Sequence, residues 1–123
     1  MHAIQTWALS EVLKHNDIVR NYEAGDTVFK AGDSGNFMAV LLQGEVEIRK
    51  QDEVLTMVEA GSIFGELALI DHQPRSADAV ARTACRAALI NEAHFYRLVE
   101  QTPSFALAVM RILTHRLRLN LNS

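Results

Sequence analysis

A chain of 123 residues, 49% of them hydrophobic, is long enough to bury a core and short enough to read as one domain over residues 1–123. A chain of this size buries roughly two-thirds of its unfolded surface, and its single cysteine, Cys85, excludes an intrachain disulfide and a four-thiolate metal site. Twelve Lys and Arg against fifteen Asp and Glu give a formal net charge of −3, a poor overall field for nucleic acid, so any anionic ligand must be held locally.

The lone thiol points to a reducing, cytoplasmic setting. Glu11 and Lys14 interrupt the first fifteen residues, which therefore do not read as a signal peptide, and no run approaches the ~20 apolar residues that span a bilayer. The chain is expected to be soluble, with no membrane partner.

In chain order, Ile4, Trp7, Ala8 and Val12 recur at helical spacing, which predicts an amphipathic helix within residues 1–16. From Asp17 short runs rich in Val, Ile, Phe and Leu alternate with glycine-centred turns: Ile18 to Tyr22, Thr27 to Phe29, Phe37 to Leu42, Glu45 to Arg49 and Val54 to Val58. Gly25-Asp26, Gly32-Asp33-Ser34-Gly35, Gly44 and Gly61 are hairpin punctuation. In Glu45-Val46-Glu47-Ile48-Arg49 the alternation turns Val46 and Ile48 inward. Further strands are predicted at Ser76 to Ala81 and Cys85 to Asn91, with Cys85 a small core hydrophobe.

Residues 92–123 turn helical: Glu92 to Glu100 is one helix, Pro103 suits the first turn of the next, and Phe105, Val109, Ile112, Leu113 and Leu117 follow at helical spacing. The whole reads as α+β, an antiparallel β-roll of about eight strands over 17–91 with an N-terminal helix and C-terminal helices.

The chemistry concentrates in Phe64-Gly65-Glu66-Leu67-Ala68 through Arg75-Ser76-Ala77. A short helical turn after Gly65 presents unpaired N–H groups. Arg75 offers a planar donor fork matched to phosphate oxygens, and the Ser76 hydroxyl and amide add donors. Glu66 beside a phosphate is repulsive unless it has another partner, and a sugar hydroxyl is one. A nucleoside cyclic phosphate accounts for all three residues together.

At these positions the chain resembles the cyclic-nucleotide-binding domain family, which includes catabolite activator proteins, regulatory subunits of cAMP-dependent kinase and cyclic-nucleotide-gated channels. Its phosphate-binding cassette is matched at Phe64, Gly65, Glu66, Ala68, Leu69, Arg75, Ser76 and Ala77, and its β-roll turns at Gly25-Asp26, Phe29, Gly32-Asp33, Gly35 and Gly44-Glu45-Val46. The resemblance implies that Glu66 binds a ribose 2′-hydroxyl and Arg75 the cyclic phosphate, with Gly65, Leu67, Ala68, Ser76 and Ala77 completing the pocket. The ligand so implied is cAMP, or else cGMP, with no cofactor. Ser rather than Thr at position 76 goes, within the family, with cAMP over cGMP. Asp78-Ala79-Val80 departs from the family pattern and implies lower affinity.

In relatives the last helix is a lid whose polar residues touch the base. Here that helix offers Arg116 and Asn120, four apart and on one face, as further ligand-binding residues, and Asn122 and Ser123. A solvated helix end is the alternative for Asn120 and Ser123. His2, His15, His72, His94 and His115 are scattered without H-x-H or H-E-x-x-H spacing, so they supply no metal site and are expected on the surface. Asp71 and His72 belong to a solvent-exposed loop.

Neither a metal cluster nor a paired acid and base is evident for cleaving a phosphodiester, so no catalytic residue is assigned and no enzyme is expected. The chain ends at Ser123 without a following helix-turn-helix, so nucleic-acid binding by this chain alone is not expected. The leucine-lined face of the last helix is instead available to a second copy, a partner protein or the roll itself. Two readings stand against a complete sensor: an interaction module with weakened nucleotide binding, and a regulatory fragment of a larger transcription factor, kinase or channel.

Overall fold

The computed structural model describes the backbone over residues 18–122 and the side chains over 18–119; the expected helix within residues 1–16 lies outside the described residues. Eight strands follow in order, β1 (Val19–Tyr22), β2 (Thr27–Phe29), β3 (Phe37–Gln43), β4 (Glu45–Lys50), β5 (Glu53–Glu59), β6 (Ile63–Phe64), β7 (Asp78–Ala81) and β8 (Cys85–Asn91). A short helix α1 (Glu66–Asp71) interrupts them after β6, and α2 (Glu92–Gln101) and α3 (Pro103–Asn122) close the chain. The strands form two antiparallel four-stranded sheets, ordered β1-β8-β3-β6 and β2-β7-β4-β5.

The first sheet is buried on both faces, which is why β3 reads as the unbroken apolar run Phe37 to Leu42. Met38 and Val40 on β3, with Ala88 and Ile90 on β8, turn toward the helices and pack with Leu98, Phe105, Val109 and Ile112. Ala39, Leu41, Ala87 and Leu89 turn the other way and meet Phe29, Val46, Val58, Phe64, Ala79 and Ala81 between the sheets. Successive side chains of a strand alternate faces, so one strand serves both cores. Alanines at 39, 79, 81 and 87 share this inter-sheet core with Phe29 and Phe64.

Strand β4 turns into β5 through Gln51 and Asp52, both at positive φ (51° and 69°), the two-residue hairpin geometry that matches strand twist. Helix α2 is capped by Asn91, whose Oδ1 accepts the His94 amide at 2.8 Å.

Two expectations are corrected, the start of β7 and the placement of His94. β6 has only two residues, too few for any alternation to register, and β7 starts at Asp78 rather than Ser76 because the chain before it is bound to the β2–β3 turn. His94 is buried, 4% exposed, in the first turn of α2, not on the surface. Leu117 lies off the buried stripe of α3 and is 58% exposed, whereas Phe105, Val109 and Ile112 hold that helix to the roll.

Candidate functional site

Strand β6 ends at Phe64, whose ring is in the inter-sheet core 6.1 Å from that of Phe29. The chain then needs a sharp change of direction, supplied by Gly65 at φ 75° before α1. A Cβ there would lie 2.7 Å from Arg75 Nη1 and 3.0 Å from the Phe29 ring, so glycine is required by both conformation and close approach. Helix α1 runs one and a half turns and stops at His72, whose φ of 61° carries its N–H back to the Ala68 carbonyl at 3.0 Å.

The return segment is pinned from its own backbone. The Arg75 amide donates to Asp33 O at 2.9 Å and its carbonyl accepts from Gly32 N at 2.8 Å. Asp78, the departure from the family pattern, has a structural partner: its Oδ1 accepts the Ala31 amide at 2.7 Å, so the acid ties β7 to the β2–β3 turn. On the other side of that turn Gly35 lies directly against Ala68 of α1.

This scaffold buries one acid and one base around Gly65, Glu66 and Arg75, each 4% exposed. They are not each other's hydrogen-bond partners. Arg75 Nη1 donates to Gly65 O at 2.6 Å and Nη2 to Phe37 O at 2.5 Å, and its guanidinium stacks on the Phe29 and Phe37 rings. Burial lowers the Arg75 pKa, opposed by the charges of Glu66 and Asp33; the guanidinium stays protonated.

Glu66 is held by Arg116, which reaches over from α3: Nη1 donates to Oε1, and Nη2 donates to Ile63 O at 2.6 Å and lies 3.5 Å from Ser62 Oγ. Oε2 accepts the Leu67 amide at 3.2 Å.

The structure therefore brings Glu66, Arg75, Gly65 and Arg116 together, with Ala68 and Ala77 buried beside them and Ser76 exposed next to Arg75. Two expected pocket side chains lie elsewhere. Phe64 is core, and Leu67 is 56% exposed and contributes its amide rather than its side chain. The side chain of Asn120 lies outside the described residues. Arg116 meets the Glu66 carboxylate.

A cleft of about 280 Å³ opens on the outer side of α1, lined by residues including Gly35, Ala68, His72, Pro74 and Glu92. Of the expected site residues it reaches Ala68 alone, while the Arg75 side chain bridges the Gly65 and Phe37 carbonyls. Phe29, Phe37, Ser62 and Ile63 are the partners that sequence reasoning missed. A more spacious cleft of about 460 Å³ lies against Tyr22, Gln43, Cys85 and Arg86 and includes none of the site residues.

Among the described residues there is no cluster of metal-ligating side chains, and no helix is long and apolar enough to cross a membrane.

Comparison with known proteins places this geometry. Residues 19–102 match the family described as the cyclic nucleotide-binding domain. A cGMP-dependent protein kinase of Plasmodium berghei is 34% identical over 82 residues, 65% of this chain and 10% of the kinase. A CRP-like cAMP-activated global transcriptional regulator of Mycobacterium tuberculosis is 28% identical over 116 residues, 90% of this chain and 50% of the regulator. The chain thus spans half or less of the length of these curated relatives.

Among solved structures, the catabolite activator protein of Thermus thermophilus superimposes with a TM-score of 0.83 at 26% identity, covering 98% of this chain and 60% of that one. A structure solved for a cyclic-GMP-dependent signalling pathway that regulates bacterial phytopathogenesis gives 0.82 at 27% identity, covering 95% and 96%. Such domains are regulatory rather than catalytic. With the family match and the β-roll in agreement, the chain belongs to the cyclic nucleotide-binding domain family.

Proposed function

We propose that this domain is a sensor that binds a cyclic nucleotide, cAMP in preference to cGMP, at Glu66, Arg75 and Ser76, and passes the event to helix α3. The observation that carries the reading is the buried acid and base flanking Gly65, with Arg116 of α3 already on the acid. Arg75 exchanges its two carbonyl partners for the oxygens of the cyclic phosphate, a charge-assisted pair matched to its fork. A ribose hydroxyl donates to Glu66, whose two oxygens keep lone pairs beyond those taken by Arg116 and the Leu67 amide. Because Glu66 also holds Arg116, a change at the ribose end alters the grip on α3. The preference for cAMP rests on serine at position 76; the curated relatives include proteins named for each nucleotide.

We place the domain in the cytoplasm, with no nucleic acid bound by this chain alone and no membrane partner. Its outward surface for a second copy is α3, where Leu107, Met110 and Leu117 are exposed at spacings of three and seven, the pattern of a coiled-coil seam. A homodimer in sedimentation equilibrium supports that use, and a monomer at high concentration removes it.

A competing reading, a β-roll interaction module with weakened binding, is favoured by the internal partners that Glu66 and Arg75 already have. Calorimetric titration separates the two. The sensor gives saturable heat with cAMP at lower concentration than with cGMP; no heat from either at millimolar concentration sinks the sensor and leaves the module.

A further inference from the structure

The Arg75 guanidinium is not waiting in an open pocket. Its carbon lies 4.0 Å from the centre of the Phe29 ring and 4.8 Å from that of Phe37, and the two rings meet edge to face with centroids 6.2 Å apart. Its two Nη atoms are on the Gly65 and Phe37 carbonyls, and buried Nε has no hydrogen-bond partner among the described residues. A phosphate diester gains most from two donors aimed along one edge of the fork. The present arrangement commits one Nη to each carbonyl and leaves the buried Nε without a partner among the described residues.

We propose that Phe29 and Phe37 form an aromatic clamp that holds Arg75 withdrawn, and that Phe37 thereby sets the affinity for the cyclic phosphate. This rests on the nucleotide-binding reading above. A binding-competent state populated only in part weakens apparent affinity by that fraction, so whatever stabilises the withdrawn guanidinium lowers affinity. Phe29 belongs to the inter-sheet core, whereas Phe37 is only partly buried and packs at its margin. Phe37 can therefore be changed with less disturbance, and its backbone carbonyl stays in place when the ring is removed.

The test compares wild type, Phe37→Leu and Phe37→Tyr by calorimetry with cAMP and by the Arg75 Nε–H resonance of the ligand-free proteins. Loss of one cation–π face tightens the Kd of Phe37→Leu by about three- to tenfold, while Phe37→Tyr, which keeps the ring, stays at the wild-type value. The Nε–H signal, shielded by the rings in wild type, moves downfield and exchanges faster in Phe37→Leu and stays in place in Phe37→Tyr. Retained dispersion of the amide spectrum checks that both variants fold. A Kd for Phe37→Leu equal to or weaker than wild type overturns the affinity role, and an unmoved Nε–H signal overturns the clamp. If no form binds cAMP or cGMP at millimolar concentration, the nucleotide reading fails and takes the affinity role with it, while the Nε–H signal still decides the clamp.

Discussion

Arg116→Ala probes the connection between the site and the last helix. Glu66 is 5% exposed at its side chain and Arg116 34%, so the pair lies between the buried and the surface extremes. Breaking a fully buried pair costs about 3–5 kcal/mol and an exposed one under about 1 kcal/mol. Arg116→Ala also removes the 2.6 Å bond to Ile63 O, so a loss of about 2–3 kcal/mol is expected. Most of that arises from a stranded carboxylate, and Glu66→Gln in the Arg116→Ala background should recover part of it. A double-mutant cycle by urea unfolding should give a coupling of about 1–2 kcal/mol. In hydrogen exchange, saturating cAMP should change the protection of α3 amides in wild type and not in Arg116→Ala. A coupling below about 0.5 kcal/mol, or an undiminished response of α3, would refute the link.

Arg75→Ala should weaken cAMP binding by about 2–5 kcal/mol, the penalty for leaving a partly buried charge unpaired; an unchanged Kd removes Arg75 from the site. Gly35→Ala should destabilise the fold by about 1–3 kcal/mol, because the added Cβ falls 2.0 Å from that of Ala68; thermal unfolding at the wild-type midpoint would contradict it. Burial raises the Tyr22 pKa above its ordinary 10.0, the attraction of Arg20 opposing it. The unfolded chain therefore loses this proton first. Its contribution to stability is full below about pH 10 and lost as pH rises through the folded value. Tyr22→Phe should flatten that alkaline limb in urea unfolding, and an identical slope in both proteins would assign the limb to other groups.

Much of the roll is legible because its turns are spelled locally. Each strand between Val19 and Val58 is bounded by glycine or by the Gln51-Asp52 turn, and β4 alternates openly, although Ile48 is buried less completely than Val46. β6 escapes because pairing with Ala39 and Val40, not local pattern, makes it a strand. His94 escapes because an imidazole in a first helical turn carries no mark of which side the core lies on.

In the same way Glu66, Arg75 and Ser76 are readable together, since one cassette of consecutive residues supplies them. Their partners outside the cassette are not, because the Phe37 carbonyl is 38 residues from Arg75 and Arg116 is 50 from Glu66. Only the closed roll brings these together. The partner of the acid at position 78 is likewise visible only in the fold. It departs from the family pattern, and the fold gives it a structural partner in the Ala31 amide.

Residues 64–77 and α3 are proposed to form one cyclic-nucleotide site. The most direct test is a ¹H–¹⁵N correlation spectrum recorded through a titration with cAMP. Saturable shifts are expected, centred on Gly65, Glu66, Arg75, Ser76 and Ala77 and extending to Arg116. No shifts at millimolar nucleotide, or saturable shifts confined to residues away from these, would contradict it.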